Sequence, residues 1–491
     1  MLFNSQIFVF AFFPIVWLGY YGLHRVKAHN AAKLLLFVAS MVFYGYYNTK
    51  YIPLLLASII GNYGMYILLG YLHKKPLPGL RKAVMGIGVA ANIFVIFYYK
   101  YFNFFLDNVN RVFTTDFQME NIILPLGISF FTFQQVSFLI DRYRGDAMEY
   151  SLLDYSVFVA FFPQLVAGPI VLHQELIPQF SQKERFSPKW ENMMVGLRYF
   201  VLGLFKKTMI ADRFGNLVNL GYVYPFERDL PGTILIIVSY TLQIYFDFSG
   251  YSDMAIGLGK LFGVDIPVNF NEPYKAKNIA EFWSRWHMSM TGFFSKYLYI
   301  PLGGNRKGKL RTYVNVLIVF TVSGLWHGAA WAFVLWGMMH GVAMVFHRIF
   351  KKYIEKLPKL LTGFVTFAFV NMAWVLFRTE SLGQTYRVVK SLLTGGFSGN
   401  NVDLCYAFLG SNLELMLQNI SYGGAGFDLL AQAVTILGLV VTLLVVFLAP
   451  SSHKIANRQS TFASEGIVFA IMAVLSIMTF TNVSTFLYFN F

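Results

Sequence analysis

Cysteine occurs once in the 491-residue chain, at Cys405, which rules out an intramolecular disulfide and any metal site built from several thiolates. Charge is scarce as well. Only 13% of residues are Asp, Glu, Lys or Arg, against 56% hydrophobic and 18% aromatic, and the mean hydropathy is +0.54. A soluble domain of this length could not bury so much apolar side chain, so the composition describes a polytopic membrane protein. Also missing are the basic n-region and small-residue cleavage pattern of a signal peptide, so residues 3–23 are expected to be a retained first span. The net charge of +15 and pI near 9.5 do not indicate nucleic acid, because Lys and Arg sit in short clusters between apolar runs and no basic domain stands apart.

What the chain has instead is a succession of apolar runs, each near the roughly 20 residues needed to cross a hydrocarbon layer. They lie near 3–23, 34–47, 51–72, 83–99, 192–210, 232–250, 312–329, 331–347, 360–377, 427–449 and 464–482. The expected fold is therefore an all-α polytopic membrane protein of about 11 spans, a single domain over 1–491, with re-entrant and interfacial helices in addition. Two further segments, 121–140 and 155–172, are broken by Pro125, Gly127, Pro163, Gly168 and Pro169. Such breaks suit bent helices walled in by protein around a cavity. Basic clusters at 24–33, 73–82, 306–311, 347–359 and 453–458 are expected on the cytoplasmic side. Residues 391–426, which hold no Lys or Arg, and both chain ends are then extracytoplasmic. Arg378, Arg387 and Lys390 run against that assignment.

Between 275 and 299 the pattern changes. Apolar residues at 282, 286, 290, 293 and 297 keep helical spacing, with Lys275, Lys277, Arg285 and Lys296 interleaved. This predicts an interfacial helix at the cytoplasmic boundary. It is either a plain membrane-surface helix or one whose basic face, with Trp283, holds the phosphates of a cytoplasmic acyl donor.

Of the nine histidines, His24, His29, His73, His347 and His453 lie in basic loops and are expected to be solvated, while His173 follows a Gly-Pro break at a possible cavity entrance. His287, His327 and His340 remain. An ionisable side chain in an apolar run marks a functional site by default. His327 sits in Ser323-Gly324-Leu325-Trp326-His327-Gly328-Ala329-Ala330, where small residues let backbone or substrate approach the ring. A lone buried histidine is either hydrogen-bonded structure or a catalyst. His340 is expected to be structural. The three lack the close pairwise spacing of zinc ligands, so no metal is expected. No P-loop, GxSxG or complete GxGxxG occurs. A neutral imidazole in a dry cavity can take a proton from a hydroxyl as that hydroxyl attacks a thioester, which is an acyl transfer.

Five motifs carry a resemblance: LPLGISFFTFQQVSFLIDRYRG from Leu124, FFPQLVAGPI from Phe161, YFDFSGYSDMAIGLGKLFG from Tyr245, FWSRWHMSMTGFFSKYLYIPLGGNRKG from Phe282 and GLWHGAAWAFVLWGMMHG from Gly324. Together they resemble the membrane-bound O-acyltransferases, in the alginate and peptidoglycan O-acetyltransferase (AlgI-like) branch. The resemblance implies a shell of helices around a thin centre, with a catalytic core over 120–345 and a funnel on each side. The funnels meet at His327 with its neighbours Ser323, Trp326 and Gly328, and His287 lines the cytoplasmic side. It implies acetyl-CoA as donor, no bound cofactor, the bacterial inner membrane as location, an extracytoplasmic polysaccharide as acceptor and an SGNH-type extracytoplasmic acetyltransferase as partner. The tail Thr485-Phe486-Leu487-Tyr488-Phe489-Asn490-Phe491, following a last span within 464–491, is similar to an aromatic tail of this branch. There Tyr488 would be a transient acyl carrier; otherwise it is an aromatic interfacial anchor. D-alanyl transfer to teichoic acid is the competitor within the family, and a transporter or flippase the competitor outside it, although no paired repeats are evident.

Overall fold

The computed structural model describes residues 1–46, 48–146, 148–223, 228–397, 400–410, 425–458, 463–480 and 485–487. Among these, every regular element is a helix. Six helices are long and apolar enough to cross a membrane: Thr49–His73, Pro78–Phe113, Leu230–Leu261, Trp331–Ile354, Lys359–Arg378 and Gly426–Leu448. Each coincides with an expected span. The other five expected segments contain helices, among them His29–Gly45 and Ala463–Met478, that fall short in length or hydropathy. Apolar side chains point outward along these helices: Ile15, Phe94, Leu360, Phe364 and Leu437 are all more than half exposed. That is the surface of a protein solvated by lipid.

The chain's contacts group into two compact units. The first comprises Met1–Leu202 with Tyr251–Val268. In it α1 (Phe13–Arg25) packs on α2 (His29–Gly45), α3 (Ile52–His73) on α4 (Pro78–Ile96), and α5 (Ile128–Arg144) on both α3 and α4. The rings of Phe8, Phe12, Phe43 and Phe162 form its aromatic centre. The bent segments foreseen from proline and glycine are present. Helix α5 starts at Gly127, whose φ is +72° and where a Cβ would stand 2.7 Å from the Leu165 carbonyl oxygen. Only glycine combines that backbone with that approach. Residues 155–173 are buried almost throughout, as broken helices at membrane depth must be.

Three histidines differ from expectation, among them His347, which is buried on its helix rather than solvated. His24 is buried, its ring stacked 4.4 Å from Phe186 and Nδ1 2.8 Å from that of His29. His173 lines no entrance: it is fully buried, with Nε2 3.2 Å from Asp141 and Nδ1 3.3 Å from the Tyr150 hydroxyl.

The second unit comprises Gly203–Gly250 and Asn269–Leu487. It holds the first part of α7 (Leu230–Leu261), then α8 (Ile279–Trp283), α9 (Met288–Phe294), α10 (Lys309–His327), α11 (Trp331–Ile354) and α12 (Lys359–Arg378). Helices α10 and α11 form a hairpin across residues 328–330. A Cβ on Gly324 would stand 2.2 Å from the Phe333 carbonyl oxygen, and one on Gly337 would stand 2.3 Å from that of Phe320. The two helices thus cross backbone to backbone at Gly324 and Gly337, as small residues permit.

The interfacial helix expected over 275–299 is a correction. The chain there forms a turn at Pro273–Lys275, then α8, a break, α9, and a π-helical turn at Ser295–Tyr299. The break centres on His287, whose φ of +45° cannot continue a helix. Backbone bonds from Asn271 N–H to the Arg285 carbonyl and from Met288 N–H to the Asn269 carbonyl hold it. Phe282, Trp286, Met290 and Phe293 are buried, so the stripe faces the protein core.

Candidate active site

His327 is the last residue of α10, and its side chain is 3% exposed. Its ring lies 4.9 Å from Trp326, 5.2 Å from Trp336 on α11 and 5.1 Å from Phe377 on α12. The left-handed turn at residue 287 brings the second imidazole to 6.4 Å from the first, ring centre to ring centre. Phe248 of α7 meets the His287 ring edge-on at 4.7 Å, and Trp326 lies 6.1 Å away. Two candidate residues separated by forty positions in sequence thus share one aromatic shell.

The protonation state of His287 follows from its partners. Asn269 Oδ1 accepts from the Ser289 backbone N–H at 3.2 Å, and from the Ser289 hydroxyl at 2.8 Å. A backbone amide only donates, so this atom is the amide oxygen. His287 Nδ1, 3.2 Å from the same oxygen, must therefore carry a proton and donate it. Complete burial pushes the imidazole down to about 3, so at neutral pH the ring is uncharged and its lone pair is on Nε2. That is the form a general base needs.

His340 adopts the opposite tautomer. The Trp283 indole N–H donates to His340 Nδ1 at 3.2 Å, which leaves the proton on Nε2. Both His340 Nε2 and the Trp336 indole nitrogen, one turn apart on α11, are buried and without a hydrogen-bond partner among the described residues. Of these two donors with capacity to spare, Trp336 is the one whose ring meets His327, at 5.2 Å.

The remaining expected residues fall in different places. Ser323 is buried, with its hydroxyl 3.8 Å from the Met290 sulfur. A Cβ on Gly328 would strike the Phe333 ring at 2.1 Å, and Gly324 is taken up by the helix crossing, so both give room to neighbouring protein. Lys275 donates to the Ala449 carbonyl at 2.6 Å and pairs with Glu272, and Arg285 pairs with Glu281 at 2.7 Å. Trp283 is 3% exposed, whereas Lys277 faces outward. Tyr488 lies outside the described residues. Among the described residues no group of His, Cys, Asp and Glu is arranged to hold a metal ion.

Three residues escaped the sequence reading. Asn269 sits in a loop and carries no sequence signal. Lys207 and Asp247 do: both are charged residues inside apolar runs, the same signal that marked His327. Lys207 is 2% exposed and bonds Asp247 at 2.7 Å and Asp212 at 2.8 Å.

The family model for membrane-bound O-acyltransferases matches residues 44–379, which include both histidines. The peptidoglycan O-acetyltransferase of Helicobacter pylori is 37% identical, aligned over 100% of this chain and 98% of that protein. The probable alginate O-acetylase AlgI of Pseudomonas aeruginosa is 35% identical over 81% of this chain and 75% of its own length. The teichoic acid D-alanyltransferase of Bacillus subtilis is 28% identical over 52% of this chain and 69% of that protein. With its multiple apolar helices and a near full-length relative, the chain belongs to the membrane-bound O-acyltransferase family and is an acyltransferase.

Proposed function

We propose that the protein moves acetyl groups from cytoplasmic acetyl-CoA across the bacterial inner membrane for O-acetylation of an extracytoplasmic polysaccharide, with His327 as general base. The observation that carries this reading is the pair of buried imidazoles 6.4 Å apart in an aromatic shell. A hydroxyl entering the shell gives its proton to His327 while its oxygen bonds to the thioester carbonyl carbon. The carbon–sulfur bond then breaks, and the proton passes to the departing thiolate. The Nε2 lone pair of His287 is the second acceptor, on the side from which the donor comes. Trp336 supplies an N–H group beside the reacting centre. Lys277 and Arg285, with Lys275 and Trp283 behind them, form the basic approach for the donor's phosphates. Trp326 and Ser323 line the site, and the missing side chain at Gly328 lets the Phe333 ring pack behind it.

Acetyl rather than D-alanyl transfer is favoured by the relatives aligned over most of this chain, whose names specify acetylation of peptidoglycan and alginate. The five helices that fall short in length or hydropathy bring the crossings to about 11, leaving a central funnel to each face. Tyr488 is the first hydroxyl to take the acetyl group, and an SGNH-type partner receives it from there.

Consumption of isotope-labelled acetyl-CoA by the purified protein in proteoliposomes tests the reading. CoA release dependent on His327 is expected. Passage of label across the bilayer with no CoA released would indicate a transporter instead.

A further inference from the structure

A buried lysine must satisfy three N–H donors. Lys207, in the π-helical turn Lys206–Ala211, spends one on Asp247 Oδ1 and one on Asp212 Oδ1. The third goes to the C-terminal tail: Lys207 Nζ donates to the Thr485 carbonyl at 2.9 Å. The tail answers in kind, since the Leu487 backbone N–H donates to Asp247 Oδ2 at 2.9 Å. Between these two bonds the Phe486 ring is 1% exposed and lies 4.7 Å from the Lys207 ammonium, a cation–π contact. Without the tail, a buried ammonium would lack an acceptor and a buried carboxylate a donor. The ion pair is complete only when residues 485–487 are seated on it.

We infer that Lys207 and Asp247 form a binding site for an aromatic C-terminal peptide, and that they position the chain's own tail by its main chain. The contacts are to the backbone of residues 485 and 487, so they set the register of the tail whatever its side chains, while the buried place of Phe486 selects an aromatic ring. Residue 488 follows directly. Asp247 is also next in sequence to Phe248, whose ring meets His287 at 4.7 Å, so one helix, α7, carries both the tail's anchor and a wall of the candidate site. Lys207 and Asp247 are positioning residues, and the link to Tyr488 chemistry rests on the function proposed above.

Hydrogen exchange of the tail in the full-length protein tests the site without reference to activity. Asp247→Asn and Lys207→Met should speed exchange of the C-terminal peptide at least tenfold, with the α10–α11 hairpin unchanged. Unchanged exchange in the tail would overturn the proposal. Should either variant fail to accumulate, Leu487→Pro and Phe486→Ala keep the ion pair intact and remove only the tail's amide donor or its ring, and the same acceleration is expected. Acetyl transfer is then measured in the variants whose tail is released. A released tail with full transfer would refute the use of Tyr488 but leave the binding site standing. Loss of transfer that Lys207→Met does not deepen in a chain ending at Leu487 would show that the pair acts through the tail.

Discussion

Replacing Asn269 by leucine removes the oxygen that holds the His287 Nδ1 proton and leaves the ring's neighbours otherwise in place. Ser289 is partly exposed and can turn its groups to solvent, but His287 is fully buried and cannot. A buried donor stripped of its acceptor costs about 1–3 kcal/mol. Moving the proton to Nε2 instead abolishes the lone pair the proposed chemistry uses. Taken as a rise in barrier, that range is about a 5- to 150-fold fall in kcat. The KM for acetyl-CoA should hold within about twofold, because the amide is not proposed to touch the donor. Asn269→Asp restores the acceptor and adds a negative charge that raises the His287 value from about 3. It should recover the rate at alkaline pH and introduce an acid limb that the parent lacks between about pH 5 and 8. CoA release in proteoliposomes reads both variants. An Asn269→Leu protein with kcat within twofold of the parent would refute the assignment of His287 tautomer and role together.

Other consequences follow from the packing. Gly324→Ala puts a methyl 2.2 Å from the Phe333 carbonyl oxygen and should destabilise the α10–α11 crossing by about 1–3 kcal/mol or more, measured as a lowered melting temperature in detergent. Lys33→Ala strands Asp154, now paired at 2.6 Å with both side chains largely buried, and should cost about 3–5 kcal/mol; Lys33→Ala with Asp154→Ala together should cost less than the single change. Because the His287 value lies below its ordinary 6.5, the unfolded chain binds the proton more readily. Stability is therefore full above about 6.5 and falls as the pH drops toward 3, a slope that His287→Gln should flatten in a pH series of thermal melts.

How far the sequence discloses this protein depends on whether the cause is local. Apolar runs such as 360–377 and 427–449 became helices because length and hydropathy alone decide that outcome in a bilayer. The segment 275–299 misled because its 3.6-residue periodicity is real, yet bonds from residues 269 and 271 pin His287 in a left-handed turn that periodicity does not register. Small residues around His327 were legible as thinness, but the sequence did not say what approaches: at Gly324 it is the backbone of α11. Lys207 and Asp247 were readable as charges in apolar runs. Their partner, the backbone of a tail more than two hundred residues away, was not. Asn269 was invisible, since nothing in a loop asparagine announces the histidine it orients.

In the proposed reaction the imidazole at the end of α10 takes the proton of the attacking hydroxyl. Its most direct test is the acetyl content of the cell's extracytoplasmic glycan in a strain whose sole copy carries His327→Ala, with the protein's membrane level measured alongside. The protein should insert and accumulate as before while glycan acetylation falls to background. Acetylation near the parental level, with His327→Ala protein present in normal amount, would contradict it.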